Sequence, residues 1–182
     1  LNGLAAKAED AFSLRIRNEI PEKAWGLLDL FHHHGAISYY DDKKVEFTDE
    51  TARDYCKGLW LEEYVYGVLQ QIATEAGIQD IAASVEIESA THTPNEIDAA
   101  FLHQNNLYII ECKTCNMHEY ATQSIYKLET VKGYAGLFTK PILVSLRPLP
   151  RHDRARADDL GIKVIEGAAL KNLGAHLQDL LG

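Results

Sequence analysis

The sequence predicts an α/β fold: a mixed β-sheet of about five strands flanked by helices, preceded by a small winged-helix-like segment. The apolar run Ile142-Leu143-Val144-Ser145-Leu146 follows a helical stretch and reads as a buried strand added by crossover, which calls for parallel pairing and helices on both faces. Two extended segments around Asp98 and Glu111 are joined by a short polar connection, so the same sheet also holds an antiparallel hairpin. Upstream, between Ile20 and Tyr55, a helix, a hairpin and a helix follow one another.

The elements divide at residues 1–57 and 58–182. In the first part, a connector, Glu22 to His33 reads as a helix, Ala36 to Tyr40 and Val45 to Thr48 as a hairpin across Asp41-Asp42-Lys43-Lys44, and Asp49 onward as a helix capped by Thr48 or Asp49. His32, His33 and His34 do not make a metal site, because three consecutive helical positions span about 200° and cannot converge on one ion. The negative end of a helix accounts for them. The second part begins with a helix from Leu59 to Ala76, apolar at Leu61, Val65, Val68, Leu69 and Ile72. A strand from Ala83 to Ser89, the hairpin, and a helix from Glu119 to Leu137 follow. A strand Ile142 to Arg147, a short helix near His152 to Leu160, a strand Ile162 to Ile165 and a helix Ala168 to Leu181 complete it, with breaks at Gly161 and Gly167.

The hairpin carries the chemistry. Residues two apart on a strand share a face, so Glu111 and Lys113 point one way while Ile110 and Cys112 point into the opposite layer. On the preceding strand Asp98 shares its face with Glu96 and Ala100, and Ile97, Ala99 and Phe101 take the other. A connection over His103 to Asn106 pairs Leu102 with Leu107 and sets Asp98 opposite Glu111, whereas a two-residue Asn105-Asn106 turn sets Asp98 opposite Lys113. Either register gathers Asp98, Glu111 and Lys113 on one face. Opposed carboxylates with Cβ atoms about 5 Å apart repel, and a divalent cation between them removes that cost. Two carboxylates and an ammonium so placed suit metal-assisted hydrolysis of a phosphodiester. The alternative is an amphipathic hairpin whose polar face is charged.

Glu62, at helical spacing from Val65, Tyr66 and Leu69, lies at the edge of an apolar stripe and is a candidate third ligand, while Glu63 turns toward solvent. On the helix after Lys113, Gln123 and Lys127 are four apart and neighbours on one face, placed to steer a phosphate or a water. Cys112-Lys113-Thr114-Cys115 is formally C-x-x-C, but there is no second ligand pair for zinc and no strand-to-helix start for redox use, so Cys112 is expected as a core residue.

At 182 residues and 46% hydrophobic content the chain can bury one sizeable core, and no apolar stretch approaches the ~20 residues that span a membrane. Leu1 to Asp10 has no basic or apolar leader, and the three cysteines form no disulfide framework, so a soluble cytoplasmic protein is expected. The net charge of −9 argues against non-specific nucleic-acid binding. Between Lys140 and Lys163, however, Lys140, Arg147, Arg151, Arg154, Arg156 and Lys163 oppose only Asp153, Asp158 and Asp159. That stretch either flanks the catalytic face or is a solvated helix with balancing charges.

In order, Gly58-x-x-x-Glu62, Asp98, Glu111-Cys112-Lys113 and Gln123-x-x-x-Lys127 resemble the PD-(D/E)xK nuclease superfamily, whose core is the restriction-endonuclease-like α/β sandwich. Trp60-Leu61-Glu62-Glu63-Tyr64-Val65-Tyr66, Asn95-Glu96-Ile97-Asp98-Ala99-Ala100-Phe101 and Leu107-Tyr108-Ile109-Ile110-Glu111-Cys112-Lys113-Thr114 resemble in particular the C-terminal nuclease domain of CARF-domain CRISPR ancillary nucleases. The resemblance implies an endonuclease acting on DNA or RNA in antiviral defence, switched on by cyclic oligoadenylate bound to an N-terminal sensor domain that this sequence lacks, and working as a homodimer. The motif's proline stands at Pro94, four residues before Asp98; the sequence starts at Leu1, and its one methionine, Met117, is internal, so a piece of a longer protein is expected. Asp98 and Glu111 are the expected metal ligands, with Glu62 completing the site directly or through water and the Cys112 carbonyl as a further oxygen. An all-oxygen set suits Mg²⁺ or Mn²⁺ rather than zinc. Lys113 would stabilise transition-state charge, and Gln123 and Lys127 would position the substrate backbone. The competing reading is a catalytically silent nucleic-acid-binding or dimerisation module. A carboxylate-pair glycosidase is disfavoured, because Lys113 would hold the required acid ionised.

Overall fold

Residues 2–8, 12–16, 20, 22–88 and 94–182 are described by the computed structural model, and they divide into two units, Leu1–Trp60 and Leu61–Gly182. The first unit contains α1 (Asn2–Lys7), β1 (Ser13–Arg15), α2 (Glu22–His33), β2 (Ile37–Tyr40), β3 (Lys44–Phe47) and α3 (Glu50–Asp54), followed by a π-helical turn at Tyr55–Leu59. The expected helix, hairpin and helix are present, and α1 and β1 extend the pattern into a three-stranded antiparallel sheet of order β1-β3-β2. Asp41 shapes the hairpin turn, its Oδ1 accepting from the Lys43 and Lys44 amides, both at 2.7 Å. Asp49 caps α3 by accepting from the Ala52 amide at 2.8 Å, whereas Thr48 donates to the Gly35 carbonyl. Leu28, Ile37, Val45, Phe47 and Cys56 form the buried core.

The second unit contains α4 (Trp60–Ile72), β4 (Asp80–Glu88), β5 (Pro94–His103), β6 (Asn106–Lys113), α5 (Met117–Ala135), β7 (Thr139–Ser145), α6 (Arg151–Asp159), β8 (Lys163–Glu166), a 3₁₀ turn at Gly167–Asn172 and α7 (Leu173–Leu181). The sheet runs β4-β5-β6-β7-β8, antiparallel through β6 and parallel from β6 to β8. It is the five-stranded mixed sheet with flanking helices that the sequence predicts.

Several boundaries differ from expectation for local reasons. Helix α4 stops at Ile72, where Gly77 at φ 65° lets the Ile78 amide return to the Ala73 carbonyl at 2.9 Å. Strand β4 starts at Asp80, earlier than the expected Ala83, and the expected end at Ser89 lies outside the described residues. Helix α5 starts two residues early because Asn116 caps it, accepting from the His118 amide. Strand β7 spans Thr139–Ser145 rather than Ile142–Arg147. Pro141 fits in it because β8 begins pairing only at Ile142, leaving β7 with one neighbour there. The single C-terminal helix expected from Ala168 is split into the 3₁₀ turn and α7.

Helix α5 buries Met117, Ala121, Ile125, Leu128 and Val131, a stripe at helical spacing, against Ile109 of β6 and Leu143 of β7. Odd-numbered residues of β6 therefore face α5. The opposite face, with Ile110, Cys112, Ile142 and Val144, is buried as well. Helices α4 and α7 pack closely on each other: a Cβ on Gly174 would stand 3.3 Å from Ile72 Cγ2.

The hairpin adopts the register in which Leu102 pairs with Leu107, but its turn is the two residues Gln104 and Asn105, at φ 47° and 61°. This is the register expected for a connection over His103 to Asn106, with His103 and Asn106 themselves paired, and not that of an Asn105-Asn106 turn. Phe101 and Tyr108 are opposed in this register and stack with ring centroids 4.6 Å apart, an aromatic pair that a slipped register would break.

Truncating Ile125 in the middle of the α5 stripe leaves a cavity between helix and sheet. Ile125→Ala should cost about 2–5 kcal/mol of unfolding free energy, read as a lower urea midpoint with an unchanged m-value.

Candidate active site at the end of β6

Glu111 is wholly buried, yet it sits among charges rather than apolar groups. Its Oε2 accepts a hydrogen bond from Lys127 Nζ at 2.5 Å, and Lys113 Nζ stands 2.5 Å from Oε1. The second contact is an ion pair without hydrogen-bond alignment, so Oε1 has no hydrogen-bond partner. Lys113 is on Glu111's own face of β6, and Lys127 reaches it from α5, whose flanking Ile125 and Leu128 press into the core. Burial opposes the Lys113 ammonium, but the Glu111 and Asp98 carboxylates outweigh it and hold its pKa above the ordinary value.

Asp98 occupies a break in the strand pairing. The β5–β6 ladder ends at Ala99 and Ile110, and the β4–β5 ladder passes from Ala83–Ala99 to Val85–Ile97, skipping Ser84, whose φ is 49°. Where a ladder bond to Ile97 would continue, the Cys112 amide instead donates to Asp98 Oδ2 at 2.6 Å. The carboxylate thus lies in the gap between the strands. Strict alternation fails here: Ile97, expected on the back with Ala99 and Phe101, packs with Ile109 and Leu143 on the α5 side.

Burial, and then the Glu111 charge, push the Asp98 carboxyl up to about 6 despite the Cys112 amide, Lys113 and Lys127. Glu62, half-buried in the first turn of α4, is pushed up to about 7 by burial and by Asp98, with Lys113 pulling the other way. Glu63 is exposed. Three carboxylates from α4, β5 and β6 therefore share one electrostatic neighbourhood with Lys113, and Lys127 lies beside Asp98 and Glu111. Gln123 is exposed, one turn before Lys127 on α5. Cys112 is buried, as expected of a core residue, and desolvation holds its thiol well above the ordinary range. What the sequence alone did not disclose is the direct Lys127–Glu111 bond; its one signal was a lysine adjoining the α5 apolar stripe.

The donor set fits a hard divalent cation: carboxylate oxygens, one of them buried without a hydrogen-bond partner, and two acids whose pKa values are raised first by burial and then by neighbouring negative charge. Among the described residues, no three His, Cys, Asp or Glu side chains converge closely enough to hold an ion as they stand, and the two lysines cover Glu111. No described helix is long and apolar enough to cross a membrane.

The sequence profile of a family described as "Card1-like, endonuclease domain" matches residues 49–181. Among solved structures, protein VC1899 from Vibrio cholerae is similar, with 33% identity and a TM-score of 0.80 over 99% of this chain and 49% of that one. Can2 from Sulfobacillus thermosulfidooxidans, solved in complex with cyclic tetra-adenylate, is 27% identical with a TM-score of 0.81 over 99% of this chain and 50% of its own. The chain thus spans about half the length of these two proteins. No curated protein matches it.

The raised acids make stability depend on pH with a definite sign. Glu62 and Asp98 bind protons more tightly folded, at about 7 and about 6, than at their ordinary 4.5 and 3.8. Their contribution to stability is therefore complete below about pH 4 and is lost as pH rises through 6 and 7. In a chelator, Glu62→Gln and Asp98→Asn should gain melting temperature relative to the parent as pH is raised from about 5 to 8. A pH-independent difference would contradict the burial of these charges.

Proposed function

Since this chain belongs to the Card1-like endonuclease domain family, we propose that it hydrolyses phosphodiester bonds of DNA or RNA with a divalent cation, Mg²⁺ or Mn²⁺, held by Asp98, Glu111 and Glu62. The observation that supports this reading is the buried Glu111 between Lys113 and Lys127, with two further carboxylates in its field. A cation bound there supplies Lewis-acid chemistry, polarising the scissile phosphate and acidifying the attacking water. The chain's own groups do the rest. Asp98 is held at the site by the Cys112 amide, so its position follows the backbone of β6 and not a free rotamer. Lys113, kept protonated by its acidic neighbours, offers its ammonium to the charge that grows on the phosphate oxygens, in a half-buried setting where such charge is stabilised more than in water. Lys127 neutralises Glu111 from the α5 side. Gln123, exposed one turn away on α5, positions the substrate backbone in this reading.

Can2 was solved with cyclic tetra-adenylate, and this chain covers half of that protein. We extend the control to this protein: cyclic oligoadenylate binds a sensor domain N-terminal to this chain and switches cleavage on, with two copies forming a homodimer. Full-length protein given Mn²⁺ should cut single-stranded DNA, RNA or nicked plasmid more strongly when cyclic tetra-adenylate is added.

Lys113→Ala and Asp98→Asn should each lower kcat roughly 100- to 1000-fold. Glu111→Gln should abolish both cleavage and Mn²⁺ binding by calorimetry, while circular dichroism of the three variants stays that of the parent. Cleavage retained by Lys113→Ala and Glu111→Gln alike would refute the assignment.

A further inference from the structure

The basic stretch after β7 is not uniform. On α6, Arg154 pairs with Glu166, and Arg156 lies over the Tyr126 ring with its guanidinium carbon 4.4 Å from the centroid. The loop from β7 to α6 differs: Arg147, and Arg151 at the start of α6, are exposed, and neither side chain has a hydrogen bond or acidic partner among the described residues. Among the described arginines of this stretch, these two are left without such a contact.

Their backbone is held at the site. Ser145 pairs with Lys113 in the parallel ladder, and the Leu146 amide donates to the Lys113 carbonyl at 2.8 Å. Ser145, fully buried, donates through Oγ to the Arg147 carbonyl at 2.7 Å and accepts from the Arg147 amide at 3.3 Å, pinning that residue from both sides. Beyond it the Leu149 amide donates to Glu166 Oε2 at 2.8 Å. The loop is therefore tied to the catalytic end of β6 at one edge and to β8 at the other. It stands outside the carboxyl ends of the parallel strands, where open α/β sheets receive ligands.

From this we infer that Arg147 and Arg151 form a phosphate-binding subsite that holds the nucleic-acid backbone alongside the cleavage centre. The inference rests on the nuclease reading and names its substrate-positioning residues. A chain of net charge −9, with three carboxylates at its centre, repels a polyanion unless cations stand where the strand must lie. Arginine suits that task, because its planar fork donates two parallel hydrogen bonds to a phosphate. Lys140 and Lys163 are the natural controls: both are exposed, at the amino ends of β7 and β8, the opposite end of the same strands.

The test uses full-length protein with Mn²⁺, cyclic tetra-adenylate and labelled single-stranded DNA and RNA. Arg147→Ala with Arg151→Ala should raise KM by about tenfold or more, with kcat within about twofold. The same pair should make the slope of log affinity against log salt shallower by about 1 to 2. Arg147→Lys should restore part of the KM, and the Lys140→Ala, Lys163→Ala pair should leave KM and slope near parental values. Equal effects from the two double variants, or a fall in kcat at unchanged KM, would overturn the subsite while leaving the nuclease reading intact. A parent protein that neither binds nor cuts either nucleic acid would remove both.

Discussion

Everything at the candidate centre depends on one buried carboxylate. Glu111 has no exposed surface, and an uncompensated charge at such a position costs several kcal/mol. Its compensation comes from two ammonium groups of different origin, Lys113 two residues along the same strand and Lys127 on α5. The second is available only when α5 seats correctly on the sheet, because Ile125 and Leu128 on either side of it pack into the same core as Ile109 and Leu143. Core packing and site geometry are thus one constraint.

The same carboxylate disturbs its neighbours in a useful way. Asp98 cannot pair away its charge, since the cations are already committed to Glu111, and it takes the one donor left open by the gap in the β5–β6 ladder, the Cys112 amide. Glu62 then feels Asp98 more strongly than it feels Lys113. The result is a graded acidic cluster: Glu111 is wholly buried and paired with two lysines, and Asp98 and Glu62 are partly buried with raised pKa values. Burial and mutual repulsion both raise these two carboxyls, and a bound proton relieves each of them.

An acidic protein acting on a polyanion needs its positive charge in the right place more than it needs a positive total. Here the tertiary arrangement sorts the arginines: α6 spends Arg154 on Glu166 and Arg156 on Tyr126, and the loop beside Lys113 keeps Arg147 and Arg151 open to solvent. Sequence alone left that stretch divided between a solvated helix and a flank of the active face. Contacts divide its arginines: Arg154 and Arg156 are engaged on α6, and Arg147 and Arg151 are exposed without an acidic partner among the described residues.

The period-2 and helical patterns determined the order of strands and helices, the hairpin that carries Asp98 and Glu111, and the side of β6 on which Glu111 and Lys113 lie, because side-chain direction along a regular element follows from local geometry. Local geometry could not place what depends on neighbours. The hairpin register was open until Phe101 stacked on Tyr108, and the face of Ile97 was misjudged because the strand breaks its alternation at Asp98. Lys127 was expected to steer a phosphate or a water, and it binds Glu111; sixteen positions separate them in the chain, and the crossover of α5 over the sheet brings them to 2.5 Å.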